Sequence, residues 1–407
     1  MRVCMIVRNP AVRDPRVLKE ARALAEAGHE LTLIGTAEPG VPDAEERDGF
    51  RITRIEPVPS WVRRLARRPA IPAQATEAAP SAPARTAPAR RPQFQAAVRD
   101  WIVSRRLTAA ALKQPADVYH AHDLNTLMAG WRAARRHGAR LVYDAHELYP
   151  ELAGLGPRER ARWDRLERYL IARPDAVIVP SASRADEFAQ RYGIRRPKVV
   201  MNCPTASAQP DPAASPLAGY RRPGEALLVY AGGFNANRGL ENLVRAAGMI
   251  VGARLVMIGF GSLEGELRRL AGPEGDRVAF HPPVEHDAVV ALVAGADVGL
   301  APYLPVGLNN VLAAPNKLFE YLHAGIAIAG SDLPDIRGVV ERHRVGAVFD
   351  AADPSSIADA VTELIASPDE LAAMKRRARE ASSLYTWDAQ VEVLLGIYEQ
   401  LGAATPR

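Results

Sequence analysis

Cysteine is scarce in this sequence, because only Cys4 and Cys203 occur and they lie far apart along the chain. Two such residues give neither a disulfide framework nor the close spacing of a zinc site, which favours a reducing compartment. Long apolar runs are also absent, since none reaches the roughly 18 residues that a membrane-spanning helix needs. The apolar stretch that begins at Val3 ends before Arg8, too early for the core of a signal peptide. We therefore expect a cytoplasmic protein.

The remaining composition is that of a globular protein with more than one domain. Its 407 residues correspond to two or three domains at roughly 150 residues each. Hydrophobic residues make up 48% and charged residues 24%, which excludes a wholly disordered or fibrous chain. The net charge is +5, but residues 59–95 (the basic segment) hold seven arginines and one glutamate, so the rest of the chain is slightly acidic. A general nucleic-acid-binding surface is therefore not expected.

Strand-like apolar runs alternate with helical periodicity in two successive series. The first, residues 1–204, begins with a buried strand and a helix that Asp14 caps, with Pro15 at its first position. The basic segment interrupts this series, and its many prolines and alanines predict a flexible excursion. A linker at 205–224 leads to the second series at 225–384. Two such series predict an α/β protein with two doubly wound parallel sheets, whose ligand binds beyond the carboxyl ends of the strands, in the cleft between the domains.

Polar residues follow two neighbouring strands of the first domain. His120, His122 and Asp123 end one predicted strand, and Asp144 to Glu147 end the next. Side chains at these strand ends are expected to face the ligand site. One alternative is a metal site, although the spacing matches no standard zinc pattern. The other is that Asp123 and Asp144 cap the helices that follow.

A glycine-rich loop follows the first strand of the second domain and runs from Gly232 and Gly233 to Arg238. Backbone N–H groups at such a helix start suit a phosphate, and an arginine adds a cation that can bind a diphosphate with two hydrogen bonds. The alternative is an ordinary turn with a solvated arginine. A second loop, from Gly259 to Gly265, resembles a dinucleotide fingerprint but has one residue too many before its last glycine, which argues against NAD.

A helix is predicted to begin at Pro315, and it places Lys317 and Glu320 on one face. In the functional interpretation the helix start faces phosphate, and Glu320 accepts hydrogen bonds from two adjacent sugar hydroxyls. The alternative is an ion pair within the helix, which would contribute only about 0.2–0.5 kcal/mol.

These clusters, in this order, resemble glycosyltransferase family 4, whose members have the GT-B fold of two Rossmann-like domains. In the first domain the resemblance is carried by Asp14, Arg16, Val17, Glu20, Ala21, Leu24, Gly28 and His29, by His120–Asp123 and by Tyr143–Glu147. In the second it is carried by Arg238–Glu241, Ile258–Gly261, Pro315–Tyr321, Ala324, Gly325, Ser331 and Asp332. The residues from Tyr385 to Tyr398 resemble the family's terminal helices, so 385–407 is expected to return to the first domain. The resemblance covers nearly the whole chain outside the basic segment.

The resemblance implies a retaining glycosyltransferase that moves a sugar from a nucleotide-diphospho-sugar to an acceptor without a metal or other cofactor. The first domain would face the acceptor and the second would bind the donor. The implied catalytic residues are His122, Arg238 and Lys317. The implied donor-binding residues are Gly232, Gly233, Arg238, Gly259, Gly261, Asn316, Lys317 and Glu320. The implied acceptor-side residues are Asp14, Arg16, Asp123, His146 and Glu147.

Two positions depart from the family pattern. Many members pair two glutamates eight positions apart, and the earlier position here is Leu312. Many also carry an arginine where this chain has Gly233. Lys317 is expected to supply the missing positive charge, because a diphosphate usually needs more than one cation. The departures leave open a catalytically silent binding subunit, and a nucleotide-sugar epimerase of related architecture is a further alternative that the motif order disfavours.

The basic segment has features of a membrane-contacting region. Trp61 and Leu65 are four residues apart, with four arginines around them. Each basic residue near an anionic membrane contributes about 1 kcal/mol, so residues 61–91 would give reversible, peripheral contact with its inner face. A lipid-linked, cell-envelope or secondary-metabolite acceptor would suit this arrangement. The alternative is a solvated linker.

Overall fold

The computed structural model describes residues 1–12, 14–57, 93–206, 209–272 and 277–403. Most of the basic segment, with the predicted flexible excursion and the predicted membrane contact, lies outside these residues. Its last three residues are described and are helical, because a helix begins at Gln93.

Packing divides the chain into two units. The first contains residues 1–145 and 169–177 together with the segment that starts at Tyr398, and the second contains residues 146–168 and 178–397. The sequence-based boundary at residue 204 assigns more of the chain to the first domain, and the domain boundaries stay a prediction.

The first sheet has eight strands among the described residues. They are β1 (Arg2–Ile6), β2 (Glu30–Thr36), β3 (Ala44–Arg47), β4 (Phe50–Ile55), β5 (Val118–His122), β6 (Arg140–Asp144), β7 (Ala176–Val179) and β8 (Lys198–Val199), in the order β3-β4-β2-β1-β5-β6-β7-β8. β3 runs antiparallel to β4, whereas β1 runs parallel to both β2 and β5. The strand order reverses between β1 and β5, so their carboxyl ends form a topological switch point, where ligands bind in such sheets.

In the described part of the chain, five helices accompany these strands: α1 (Pro15–Glu26), α2 (Gln93–Lys113), α3 (Leu124–His137), α4 (Pro157–Leu170) and α5 (Ala182–Tyr192). The start of α1 confirms the sequence-based prediction, because the Asp14 side chain accepts a hydrogen bond from the backbone N–H of Val17 and Pro15 is the first helical residue. The helix buries Val17, Ala21 and Leu24 on one face, as their spacing predicts. The cap thus fixes where the helix begins and which face it buries.

The second sheet has six strands: β9 (Ala226–Ala231), β10 (Ala253–Ile258), β11 (Val278–His281), β12 (Val298–Ala301), β13 (Ala327–Ser331) and β14 (Gly346–Phe349). Their order is β11-β10-β9-β12-β13-β14, and all pairs are parallel. The helices that follow are α6 (Leu240–Met249), α7 (Glu264–Ala271), α8 (Val289–Val293), α9 (Leu308–Val311), α10 (Asn316–Ala324), α11 (Pro334–His343), α12 (Pro354–Ala366), α13 (Pro368–Ser382) and α14 (Trp387–Ala403). Here the order reverses between β9 and β12, which is the second switch point.

Strand β9 shows why this sheet must be covered on both faces. Leu227 and Val229 belong to one buried apolar cluster, while Leu228 and Tyr230 belong to another. Successive side chains of a strand point to opposite faces, so both faces of β9 are buried, as is usual in parallel sheets. Among the described residues, every helix is either too short or too polar to cross a bilayer.

Candidate functional site

A buried polar cluster lies at the ends of β5 and β6 in the first unit. Arg16 donates two hydrogen bonds to Asp144, one from Nε at 2.9 Å and one from Nη2 at 2.7 Å. Arg16 Nε also lies 3.2 Å from Glu20 Oε1, one helical turn further along α1. Burial lowers the pKa of Arg16, but Asp144 and Glu20 raise it by more, so the guanidinium stays charged. One buried cation is therefore shared by two buried carboxylates.

Two histidines complete this cluster. His122 Nδ1 lies 3.3 Å from Asp144 Oδ2, and His120 Nε2 lies 3.7 Å from Glu20 Oε2. The two imidazole rings are stacked, with their centroids 4.5 Å apart. His120 Nδ1 also lies 2.9 Å from the hydroxyl of Tyr398, which comes from α14. The arrangement fixes the orientation of both rings from more than one side.

The same side chains offer four atoms that could bind a metal ion. One donor atom each from Glu20, His120, His122 and Asp144 lie within 4.8 Å of one another. Two histidines and two carboxylates would suit a divalent transition metal. However, the Arg16 guanidinium already lies against both carboxylates, and its fixed charge would repel a second cation. In this arrangement Arg16 supplies the positive charge that the carboxylates require.

The structure corrects the proposed capping roles near this cluster. Asp123 precedes α3, but its side chain makes no capping hydrogen bond to that helix, and its backbone adopts a left-handed conformation with φ of +64°. Asp144 binds Arg16 and does not cap a helix. Asp14 does cap α1, and it also accepts a hydrogen bond from Asn9 Nδ2 at 2.7 Å.

Packing assigns His146 and Glu147 to the second unit, whereas the other predicted acceptor-side residues belong to the first. The carbonyl of His146 accepts a hydrogen bond from Arg184, while Glu147 is exposed. The next residue, Leu148, exchanges two hydrogen bonds with the side chain of Asn309 in α9, at 2.8 and 2.9 Å. This segment is therefore anchored through its backbone.

The predicted donor loop follows β9 and is held by the loop after β10. The backbone N–H of Gly232 donates to Ile258 O at 2.9 Å, and that of Phe234 donates to Phe260 O at 2.8 Å. A Cβ atom on Gly259 would collide with the Gly232 carbonyl, and one on Gly261 would collide with the Phe234 carbonyl. Both positions therefore require glycine for a structural reason, because only glycine lets the two loops approach so closely.

Two cations lie at the switch point between β9 and β12. Lys317, in the first turn of α10, is 6% exposed, and its Nζ lies 3.8 Å from the ring centroid of Tyr230. A Cβ atom on Gly232 would lie only 3.2 Å from the same nitrogen. The Arg238 guanidinium carbon lies 4.3 Å from the ring centroid of Tyr303, just beyond β12. The loop after β9 and the start of α10 thus bring both predicted cations together.

The alternative interpretation of Lys317 and Glu320, an ion pair within the helix, is wrong. In the described part of the chain, no carboxylate oxygen lies within 4 Å of Lys317 Nζ or of the Arg238 guanidinium. Glu320 is buried, with an oxygen 3.7 Å from His286 Nδ1. Burial lowers the pKa of Lys317 to about 7, helped by the charge of Arg238 and opposed by that of Glu320. The ammonium therefore lies in a site that disfavours its charge.

The other predicted donor residues surround these cations less closely. Asn316, at the start of α10, is half-buried, and Gly233 accepts a hydrogen bond at its carbonyl from the Tyr230 hydroxyl at 3.0 Å. Leu312, at the position of the first family glutamate, is buried, and its carbonyl accepts a hydrogen bond from Ser181 Oγ at 3.3 Å. A leucine thus packs where many members have a charge.

Two family models cover most of the chain. The family described as glycosyl transferase 4-like domain matches residues 14–205, and the one described as glycosyl transferases group 1 matches residues 225–367. The chain belongs to glycosyltransferase family 4. This transferase is 27% identical over 311 residues to a D-inositol 3-phosphate glycosyltransferase of Xylanimonas cellulosilytica, a match that covers 71% of this chain and 73% of the relative. A D-inositol 3-phosphate glycosyltransferase of Mycobacteroides abscessus is 25% identical over 316 residues, covering 72% and 68%.

Solved structures of low sequence identity share the GT-B fold with this family 4 glycosyltransferase. A sucrose-phosphate synthase of Thermosynechococcus elongatus superposes with a TM-score of 0.77 at 20% identity, over 100% of both chains. HepE of Anabaena, crystallised with UDP and glucose, superposes with a TM-score of 0.67 at 14% identity, over 99% and 100%. The α/β fold of two parallel sheets that the sequence predicts is therefore confirmed.

Sequence reasoning missed four residues that shape these sites. Glu20 was noted only as part of a helix pattern, although a glutamate on the buried face of α1 indicates a buried partner. Tyr398 gives no local signal, since its partner His120 is distant in sequence. Tyr230 and Tyr303 are not among the predicted site residues, although each follows or ends a strand at the switch point.

Proposed function

We propose that this glycosyltransferase uses a nucleotide-diphospho-sugar as donor and that Lys317 and Arg238 bind its diphosphate. The observation that carries the proposal is a pair of adjacent cations with no carboxylate within 4 Å among the described residues. Adjacent like charges raise each other's free energy unless an anion lies between or beside them. A diphosphate, with about two negative charges, would satisfy both.

Further features of the second unit support this donor. Backbone N–H groups of the loop that starts at Gly232 precede α6, where a helix start favours a phosphate. Glu320, on the same helix as Lys317, could accept hydrogen bonds from ribose hydroxyls. HepE was crystallised with UDP and glucose, and an Escherichia coli structure with a TM-score of 0.67 holds UDP-2-fluoro glucose. The curated relatives are named for inositol 3-phosphate, so we propose that the second substrate is an acceptor with hydroxyl groups.

We infer a front-face reaction with retained configuration. The bond from the anomeric carbon to the diphosphate oxygen breaks while the acceptor oxygen attaches on the same face, and the leaving phosphate takes the acceptor proton. Lys317 and Arg238 would stabilise the charge that develops on the diphosphate. His122, oriented by Asp144, would contact the donor sugar. No metal is needed in this scheme, because protein cations serve both the diphosphate and the buried carboxylates.

Donor binding is expected to raise the melting temperature with only one class of nucleotide-sugar among UDP-, GDP- and ADP-glucose. At 100 times its dissociation constant, a ligand stabilises the native state by about 2.7 kcal/mol. Glu320→Ala should lose most of the shift, whereas Glu363→Ala, an exposed position on α12, should keep it. A thermal-shift assay measures both, and the absence of any shift in the wild-type protein would contradict the proposed donor.

Transfer is expected to proceed in excess EDTA and to yield a product with the anomeric configuration of the donor. NMR coupling constants of the anomeric proton in the isolated glycoside report this configuration. A mock-treated sample is the control for the EDTA arm. Complete loss of turnover in EDTA that zinc, manganese or magnesium restores would reject metal independence, and an inverted product would reject the front-face scheme.

We further propose that the basic segment gives this protein peripheral contact with the inner face of an anionic membrane. Next to that segment, α2 exposes Trp101, of which 59% is accessible, with the Arg105 guanidinium 4.9 Å from its ring. Replacing Arg63, Arg64, Arg67 and Arg68 with serine should remove about 4 kcal/mol of binding energy. Co-sedimentation with phosphatidylserine vesicles should then fall to the level seen with neutral vesicles. Unchanged co-sedimentation would favour a solvated linker.

A further inference from the structure

We propose that the rings of Tyr230 and Tyr303 hold Lys317 and Arg238 in position for the diphosphate, so that both tyrosines are positioning residues of the donor site. Lys317 Nζ lies 3.8 Å from the centroid of Tyr230 and 5.4 Å from that of Tyr303. The Arg238 guanidinium carbon lies 4.3 Å from the centroid of Tyr303. A cation within about 6 Å of an aromatic face is attracted to it, most strongly where water is excluded. This inference rests on the proposed donor.

The aromatic rings attract the two cations without weakening the binding of the donor, which a carboxylate in their place would do. A carboxylate beside Lys317 or Arg238 would neutralise the charge and compete with the donor phosphates. An aromatic ring carries no net charge, so each cation stays fully available to an anion. Burial raises the pKa of both phenols, which keeps them protonated and uncharged at neutral pH. The rings therefore add no negative charge that would oppose the donor phosphates.

Both rings are themselves fixed by the fold. Tyr230 is 1% exposed at the end of β9, and its hydroxyl donates to Gly233 O at 3.0 Å. Tyr303 is 7% exposed just after β12, and its backbone N–H donates to Ser331 Oγ at 2.6 Å. These strands flank the switch point, so the cations rest on the rigid part of the second unit. The hydrogen bond from the Tyr230 hydroxyl also links the ring that contacts Lys317 to the donor loop.

This arrangement gives a physical account of the departure at Gly233. An arginine on the loop would bring its own charge from the loop side, whereas the glycine leaves this space to the exposed side chain of Asn235, whose Nδ2 would lie 2.7 Å from a Cβ atom on Gly233. Lys317 reaches the same loop from α10, where a Cβ on Gly232 would lie 3.2 Å from its Nζ. A flexible lysine stem needs a support to hold its end in one place, and Tyr230 provides it.

The test compares ring-keeping and ring-removing substitutions at both positions. Tyr230→Phe and Tyr303→Phe keep the aromatic face, whereas Tyr230→Leu and Tyr303→Leu remove it. Isothermal titration measures UDP, GDP and ADP, and also uridine, guanosine and adenosine. The leucine variants should bind the preferred nucleoside diphosphate about tenfold more weakly and bind its nucleoside as the wild type does. The phenylalanine variants should stay within about threefold of the wild type for both.

A second set of variants keeps the test decisive if a leucine variant fails to fold. Pentafluorophenylalanine at position 230 or 303 has the shape of phenylalanine but a reversed ring quadrupole, and it should reproduce the tenfold loss for the diphosphate alone. Equal losses of affinity for the diphosphate and the nucleoside would overturn the positioning role. So would unchanged affinity in both the leucine and the pentafluorophenylalanine variants. If the wild type binds a nucleoside diphosphate in those experiments, the proposed donor stands while the tyrosine assignment falls. No binding of any nucleoside diphosphate by the wild type overturns both.

Discussion

Lys317→Met is expected to weaken donor binding strongly and, at the same time, to stabilise the ligand-free protein. The Lys317 ammonium is buried beside Arg238, and the pKa of this lysine falls from 10.5 to about 7 in the folded chain. Between those two values the unfolded chain binds one more proton than the native state, so native stability rises with pH across that window. At pH 7 most of the loss of stability that comes from burying this charge is therefore still present. Methionine has a similar length and no charge, so it removes the cost.

The two effects have separate measurements. Differential scanning calorimetry at pH 7 should show a melting temperature at least about 2 °C above the wild type, and the difference should shrink as the pH approaches 10. Titration with the preferred nucleotide-sugar should show at least about thirtyfold weaker binding, which corresponds to about 2 kcal/mol. A destabilised variant, or one that binds the donor normally, would contradict this account of Lys317.

Lys375→Met is the matched control for that substitution. Lys375, on α13 of the same unit, lies 3.1 Å from Asp297 Oδ1 and is also largely buried. Its ammonium has a carboxylate partner, so removal should leave Asp297 with one cation fewer and lower the melting temperature. Donor binding should not change. The contrast between a paired and an unpaired lysine, in one unit and with one substitution, isolates the effect of the missing carboxylate.

Arg16→Met is expected to destabilise the protein by about 3–5 kcal/mol, because it leaves two buried carboxylates without their shared cation. Asp144 and Glu20 are both fully buried. Urea unfolding, followed by a signal from the first unit, measures this change in the free energy of unfolding. Arg2→Met removes another ion pair of the first unit, but its partner Asp117 is exposed, so that control should change stability by less than about 1 kcal/mol.

The same variant tests whether Arg16 keeps a metal ion out of the cluster. With the guanidinium gone, the donor atoms of Glu20, His120, His122 and Asp144 would be open to a divalent ion. Zinc ions should therefore raise the melting temperature of Arg16→Met by binding the native state, and should leave the wild type unchanged. Zinc stabilisation of the wild type would show that Arg16 does not exclude a metal. An Arg16→Met protein as stable as the wild type would show that Arg16 is not the required counter-ion.

Much of the fold follows from apolar periodicity and from capping residues. Asp14 and Pro15 mark the start of α1 in the sequence, and the buried runs of β9 and β12 are strands because they are apolar on both faces. β3 escapes such reasoning. Its sequence, Ala44 to Arg47, is mostly charged and has no apolar alternation, so only its pairing with β4 makes it a strand.

The sequence predicts which residues belong to the candidate site better than it predicts which of them contact one another. Sequence spacing indicates that Lys317 and Glu320 share a helical face, but it cannot show that Tyr230 offers Lys317 a closer partner from another strand. Gly259 and Gly261 were predicted as donor-binding residues, and the structure gives them a role in the approach of two backbones. Contacts between residues distant in sequence decide such cases, and a single sequence does not contain them.

The contribution of Tyr398 to the first unit has a consequence for how the chain is made. Residues 1–145 leave the ribosome well before Tyr398, whose hydroxyl meets His120. The second unit ends at residue 397, so all of its residues are translated before the first unit is complete. The usual order of domain maturation, from the amino terminus onward, is thereby reversed. A nascent chain must therefore keep the first unit incomplete, and within reach of chaperones, until Tyr398 has been synthesised.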